Sequence, residues 1–311
     1  MEYRTLGKTG LRVSALGFGA SSLGGVFRDI DESEAIRAVH ISLDLGINFI
    51  DVSPFYGLTK AETVLGKALR GLKRDSYILA TKLGRYGSTL ADFDFSAARA
   101  LKSIDESLAR MGVDYVDLIQ AHDIEFGDVN QVVTETMPAM RKLIAAGKAR
   151  FAGVTGLPLK CLASAALQSD ADTILSYCHY ELNDTALLGI LPQLAARNTG
   201  IISASPLGMG LLSVRGAPAW HPAPDLLKAA CAKAAAHCSA HGASIEKLAV
   251  QFSVAQPQIA TTLVGSASPT NMQRNIQWIN EPLDRTLLAQ VMEILKPVHD
   301  VTWPSGRPEN N

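Results

Sequence analysis

Short apolar runs and longer stretches with apolar residues at helical spacing alternate along the chain almost without a break. The opening YRTLG-KTG-LRVSA reads as a two-strand hairpin covering residues 1–14, with KTG as its turn. ALGFGA then predicts a first barrel strand, and SEAIRAVHISLDLG an amphipathic helix that closes on Gly46. INFIDVS and AETVLGKALRG form the second unit; YILATK and FSAARALKSIDESLARMG, with Gly112 just past its end, form the third. VDLIQAHD with QVVTETMPAMRKLIAAGK, RFAGVTG with LKCLASAALQ, and TILSYCHY with ALLGILPQLAARN continue the alternation. GIISASPL is followed by a proline-rich excursion, GAPAWHPAP, and two helical stretches; TTLVGSA and TNMQRNIQWI complete the eighth unit. TLLAQVMEILKPVH predicts an extra C-terminal helix, and 303–311 a polar tail. Eight strand-helix units in one chain of this length predict an α/β fold, a (β/α)8 barrel. A doubly wound sheet is the rival, but no GxGxxG follows an early strand. No linker, charge block or low-complexity segment interrupts the pattern, so a single domain over 1–311 is expected.

Composition narrows the function classes. Hydrophobic residues make up 47% and charged residues 19%, enough for a large core. The formal charge of −1 supplies no basic field for nucleic acid or an anionic membrane. MEYRTLGKTG lacks the apolar run of a secretory signal, and no uninterrupted apolar stretch is long enough to span a bilayer. Cys161, Cys178, Cys231 and Cys238 form no CxxC pair, so free thiols and a cytoplasmic setting are expected. Cys178 stands out because SYCHY ends at a strand terminus on the ligand-facing side.

In such a barrel the chemistry gathers at the carboxyl ends of the strands. Asp51, Tyr56, Lys82 and His122 each follow an apolar run there: NFIDVSPFY, YILATK and VDLIQAH. A phenol is a poor acid or base near neutrality, because its ordinary pKa is about 10. A neighbouring ammonium favours the phenolate, and a carboxylate keeps that ammonium charged and oriented. An imidazole opposite can hydrogen-bond the reacting oxygen. Taken singly, the Asp could be a helix cap, the Tyr packing, the Lys solvated and the His structural. Together they make a proton-transfer site.

These motifs resemble the aldo-keto reductases over nearly the whole chain: KTGLRVSALGFGA, GINFIDVSPFYG, ILATK, VDLIQAHD and SPLGMGLLS. The resemblance implies hydride transfer between a nicotinamide cofactor and a carbonyl/alcohol pair, without metal. It assigns Asp51, Tyr56, Lys82 and His122 to the catalytic tetrad, with Tyr56 as general acid/base. It also implies a cofactor extended over the barrel mouth. Gly19, Ala20 and Ser21 match the segment near the nicotinamide, with Asp51 beside it. Where many members place a Ser-Asn pair and a Gln around the carboxamide, this chain has Thr155-Gly156 and Tyr177. Where many stack an aromatic ring on the nicotinamide, it has Ala204. Ser205, Pro206, Leu207, Gly208 and Gly210 match the loop along the pyrophosphate, where small residues allow close backbone approach. Gly265, Ser266, Asn271, Arg274 and Asn275 match the adenosine end. Relatives that use NADP often carry two cations there. Here Gly265 and Asn271 occupy those positions, which favours NAD, while the nearby Arg274 keeps NADP open.

AHDIEFGD, GVTGLPL, ILSYCHYELND and PAWHPAPDLLKAA resemble the L-galactose dehydrogenase and L-fucose dehydrogenase branch. That likeness implies oxidation of an aldose at C1 to its lactone. Phe55, Tyr86, Asp123 and Trp220 are the expected substrate neighbours, with Tyr177 and His179 as further candidates and Trp220-His221 as a lid. A small-molecule sugar is the expected partner, and a monomer or weak homo-oligomer the expected state. Three rivals stand beside this reading. One is an NADPH-dependent aldehyde or ketone reductase. Another is a regulatory cofactor-binding barrel like the potassium-channel β subunits. The third, a metal-dependent hydrolase, would need more His and carboxylate ligands at strand ends than this chain offers.

Overall fold

The computed structural model describes residues 1–26 and 29–311. Strands β1 (Tyr3–Thr5) and β2 (Arg12–Ser14) pair antiparallel. Eight parallel strands follow: β3 (Leu16–Gly19), β4 (Phe49–Asp51), β5 (Ile78–Leu83), β6 (Val116–Ala121), β7 (Ala149–Gly156), β8 (Thr173–Tyr177), β9 (Gly200–Ala204) and β10 (Thr261–Val264). They close into a barrel, with β10 pairing β3 through Thr262 opposite Leu16. The eight-unit (β/α)8 architecture read from the alternation is the observed one.

ALLGILPQLAARN, read as the sixth helix, is a 3-10 segment, Ala186–Ile190, followed by a short helix, Leu191–Ala195. Asp31, Ser96, Ser244, Ser268 and Asp284 each accept a backbone N–H of the following first turn, satisfying donors that the helix leaves free. Gly112 takes the left-handed conformation that ends helix Ala97–Met111. The fourth helix departs from expectation. Residues read as one continuous helix contain a π turn at Val132–Thr136 before Met137–Ala145. Pro138 explains it, since its ring displaces the carbonyl four residues earlier and it donates no hydrogen bond.

Three apolar clusters hold the fold. The largest lies between the strands and the surrounding helices. A second fills the barrel: Phe49, Ala80, Leu118, Leu175, Ile202 and Leu263, with Leu6, Leu11 and Val13 of the hairpin plugging its floor. The third joins helices Asp225–Ala240 and Arg285–Leu295 to Leu157, Cys178 and Trp303. The stretch read as a polar tail is part of the packed body. Trp303 is buried with its ring edge-on to His221 at 5.0 Å, and Ser305, Arg307 and Asn310 bond to the loop after β6.

The interior cluster also fixes which residues reach the mouth. Successive strand residues alternate between faces. Phe49 inward puts Asp51 inward, Ala80 does the same for Lys82, and Leu118 for Gln120. Leu175 and Ile202 likewise direct Tyr177 and Ala204. The polar residues are the top layer of the same stack whose lower layers are apolar.

Candidate active site

Lys82 is fully buried, and its ammonium is paired with the Asp51 carboxylate. The same nitrogen donates to the Val52 carbonyl at 3.0 Å and to the Tyr56 hydroxyl at 3.3 Å. Gln120 donates to the second Asp51 oxygen at 2.8 Å. Burial opposes the Lys82 charge, but Asp51 and Tyr56 together more than offset it, so the ammonium is held above the ordinary lysine range. The Tyr56 phenol is raised as well. Burial is the main cause, and the Lys82 ammonium offsets only part of it. The lysine lowers this phenol, as expected, but desolvation outweighs it.

Tyr56 sits on a loop that the backbone grips tightly. A β-carbon built on Gly57, at φ +62°, would fall 2.1 Å from the Gly24 carbonyl oxygen, so only glycine fits there. The His122 ring stands edge-on to Tyr56 at 5.7 Å. Ser53 Oγ accepts from the Phe55 N–H at 3.1 Å and lies 2.9 Å from His122 Nδ1. His122 Nε2 faces the Asp123 carboxylate at 3.6 Å. Burial, then Lys82 and Arg85, hold the imidazole well below its ordinary value, so it is neutral near pH 7. The network assigns its proton to Nε2, with the Ser53 hydroxyl donating to Nδ1. Asp51, Lys82 and Tyr56 therefore form one hydrogen-bonded group, with the His122 ring packed edge-on against Tyr56.

The residues expected along the cofactor are placed on one side of the mouth. A β-carbon built on Gly265 would meet the Gly19 carbonyl oxygen at 2.3 Å, so the ends of β3 and β10 touch. Ala20 and Ser21 lead away from Gly19 in a short 3-10 turn. Ser205, Gly208 and Gly210 all have positive φ, of 62°, 53° and 111°. Pro206 and Leu207 lie between them. Ser266 Oγ accepts from Ser268 N–H and from the Asn271 amide, and Asn271 accepts from Arg274 at 2.9 Å. Asn275 is half-buried on the same helix, Pro269–Ile279. Gly19 and Ala204 remain partly accessible and carry no bulky side chain. Thr155 and Tyr177 are already engaged. The Thr155 hydroxyl accepts from Asp123 N–H at 3.0 Å, and the Tyr177 hydroxyl donates to Glu125 at 3.3 Å.

The expected substrate neighbours divide. Asp123 lies at the mouth, buried, at φ +51° and ion-paired with Arg85. Phe55 is there too, but the Arg85 guanidinium covers one ring face at 3.6 Å. Tyr86 is turned away from the mouth, contrary to expectation. It accepts from Gly84 N–H at 3.1 Å, and its ring carries Arg99 of helix Ala97–Met111 at 3.8 Å. His179 is buried against Asp184 at 3.1 Å. Trp220 is 56% exposed and stacks on His221, whose ring bonds the Gly208 carbonyl at 3.0 Å. The proline-rich excursion is thereby pinned to the Ser205–Gly210 loop. Cys178 is buried and its thiol is pushed well above its ordinary range by burial, so it is not poised for oxidation.

Four site residues escaped the sequence reading. Ser53 and Gln120 carried a usable signal, being two residues from Asp51 and His122 on the same face. Arg85 and Glu125 carried none, because their partners are distant in sequence.

A sequence profile of the Aldo/keto reductase family matches residues 15–296. The chain is 49% identical to the L-galactose dehydrogenase of Arabidopsis thaliana, aligned over all of this chain and 99% of the relative. It is 28% identical to a D-threo-aldose 1-dehydrogenase of a Pseudomonas species, over 91% of this chain and 94% of that one. Among solved structures, an aldo-keto reductase from Bacillus halodurans in its holo form superposes with a TM-score of 0.78 at 27% identity, covering 98% of both chains. With the barrel, the strand-end residues and these likenesses in agreement, the chain belongs to the aldo/keto reductase family.

Proposed function

We propose that this protein oxidises an L-aldose, L-galactose foremost, at C1 to the lactone, with NAD as hydride acceptor. The observation that carries the reaction type is the Tyr56 hydroxyl 3.3 Å from Lys82 Nζ, with the neutral His122 edge-on beside it. The sugar class rests on the full-length likeness to the Arabidopsis L-galactose dehydrogenase.

In this reading Tyr56 takes the proton of the anomeric hydroxyl, and Lys82 stabilises the phenolate that must form. Asp51, fixed by Gln120, keeps Lys82 aimed at that oxygen. His122 donates from Nε2 to the C1 oxygen and sets the face presented. Gly19–Ser21 would seat the nicotinamide, Ser205–Gly210 the pyrophosphate, and Gly265–Asn275 the adenosine end. The oxidised nicotinamide supplies the hydride acceptor and a positive ring that favours phenolate.

NAD is favoured over NADP by the adenosine end. Arg274, the one cation from Gly265 to Asn275, is committed to Asn271 and lies over Trp278 at 5.0 Å. The adjoining cavity is lined by Asp29, Asp31 and Glu34 beside Ser268, a set that repels a 2′-phosphate and accepts ribose hydroxyls.

The test is initial-rate NADH formation with L-galactose, L-fucose and D-galactose, repeated with NADP and with Tyr56→Phe. Turnover of L-sugars with NAD, lost by at least about a thousandfold in the variant, is expected. Absence of sugar oxidation with either cofactor, alongside reduction of simple aldehydes by NADPH, would overturn the proposal.

A further inference from the structure

Arg85, 19% exposed, and the buried Asp123 form a largely buried ion pair at the barrel mouth. They bias the protonation of His122 and Tyr56, but neither exchanges a proton in the scheme above. A buried pair of this kind is seldom retained for stability alone, because removing two charges from water costs about as much as their attraction returns. Its construction is also specific. Asp123 adopts the left-handed conformation, φ +51°, which Asp tolerates better than most residues, and its N–H donates to the Thr155 hydroxyl. The Arg85 guanidinium lies flat on Phe55 at 3.6 Å, with Phe93 and Phe126 at 5.3 and 5.5 Å. Those two rings stack on each other at 4.8 Å. Stacking fixes the plane of the fork and leaves its N–H edge to face polar partners.

The pair also has a defined relation to the reacting carbon. Asp123 Oδ2, the oxygen that accepts from Arg85, lies 3.6 Å from His122 Nε2. Nε2 is the donor assigned above to the oxygen on C1. Oxygens on neighbouring carbons of a pyranose stand about one hydrogen-bond length apart, and the 3.6 Å between Nε2 and Oδ2 lets these two atoms meet such a pair side by side. A hydroxyl on C2 therefore falls to Asp123, with the Arg85 edge beside it.

We propose that Asp123, oriented by Arg85, reads the C2 hydroxyl of the sugar and is a specificity-determining residue of this enzyme. The inference rests on the proposed aldose oxidation. Substrates lacking the hydroxyl would leave a desolvated carboxylate unpaired, a strong form of rejection. Simple aldehydes fall in the same rejected class.

A cycle that removes each partner in turn tests it. kcat/KM is measured for L-galactose and 2-deoxy-L-galactose with the wild-type protein, Asp123→Asn and Asp123→Ala, and NADH affinity is measured separately by fluorescence titration. The wild-type protein should prefer L-galactose by about a hundredfold or more. Asp123→Ala should bring the two sugars within about fivefold by losing rate on L-galactose, with Asp123→Asn between them and NADH affinity unchanged. If Asp123→Ala fails to fold because Arg85 is left unpaired, Arg85→Met with Asp123→Leu removes both charges together, and the same convergence is expected. Undiminished discrimination in a folded variant that binds NADH overturns the inference. Failure of the wild-type protein to oxidise either sugar while binding NADH instead overturns the aldose reading.

Discussion

Glu125 gives the sharpest stability prediction. It follows β6, is fully buried, and gathers Leu157 N–H, Tyr177 O–H and Ser305 O–H on Oε1 at 3.2, 3.3 and 2.9 Å. Oε2 has no partner and lies against Gly156. Burial, aided by the nearby Asp123 charge, pushes the carboxyl from 4.5 to about 7. The sign follows from proton counting. Between these values the native state keeps a proton that the unfolded chain has lost, so stability falls as pH rises through the window. At about 1.4 kcal/mol per pH unit, the ionised group costs the fold about 3 kcal/mol once pH exceeds 7. Glu125→Gln resembles the protonated acid, keeps an acceptor for the three donors, and cannot ionise. Reversible guanidinium unfolding of both proteins at pH 5 and 8.5 is the assay. The variant should gain about 2–3 kcal/mol on the wild-type protein between the two pH values. Glu181, pushed by burial to about 8, also titrates in this range but is common to both proteins and cancels. Parallel pH profiles would refute the reasoning, since they would mean that Glu125 is ionised in the native state at no cost.

Two further outcomes follow from the site. Because the Tyr56 phenol is raised by burial, its base form is scarce near neutrality, so sugar oxidation should rise steeply with pH, by up to about tenfold per unit, while carbonyl reduction, which uses the protonated phenol, stays level over the same range. A rising oxidation profile beside a level reduction profile in a stopped-flow comparison supports this assignment, and identical profiles exclude it. Ser53→Ala removes the partner of His122 Nδ1, and should lower kcat by about tenfold with cofactor affinity, read by fluorescence titration, unaltered.

The barrel was legible because its signals are local. Each apolar run that ends in a polar residue marks a strand meeting its loop, which is how Asp51, Lys82 and His122 declare themselves. Side-chain alternation then extends to Ser53 and Gln120, although a serine or glutamine near a strand end does not stand out until the inward face is known. Tyr86 was misplaced because Gly84, at φ +93°, turns the chain just before it and swings the ring towards helix Ala97–Met111. The tail was misread for a different reason. Polar composition suggests solvent, but Ser305 and Asn310 find their partners on a loop 180 and 185 residues earlier. Only closure of the fold brings those positions together. Glu125 was invisible for the same reason.

The charges at the mouth explain why its two reactive groups rest in the states observed. Two compensated pairs, Lys82 with Asp51 and Arg85 with Asp123, flank a neutral phenol and a neutral imidazole. After burial, the two cations are what depress His122, while Asp51 and Asp123 help keep the proton on Tyr56. Neither pair carries net charge, so the resting site has a proton on Tyr56 and a single N–H on His122. That state is ready to donate to a carbonyl oxygen. Oxidation needs the opposite state of Tyr56, and among the groups at the mouth only Lys82 favours it. On the phenol, burial outweighs the ammonium, and a further positive charge beside it would act in the same direction as Lys82. An oxidised nicotinamide brings such a charge, whereas a neutral sugar does not. The same residues can therefore serve both directions, with the redox state of the cofactor selecting which one Tyr56 is prepared for.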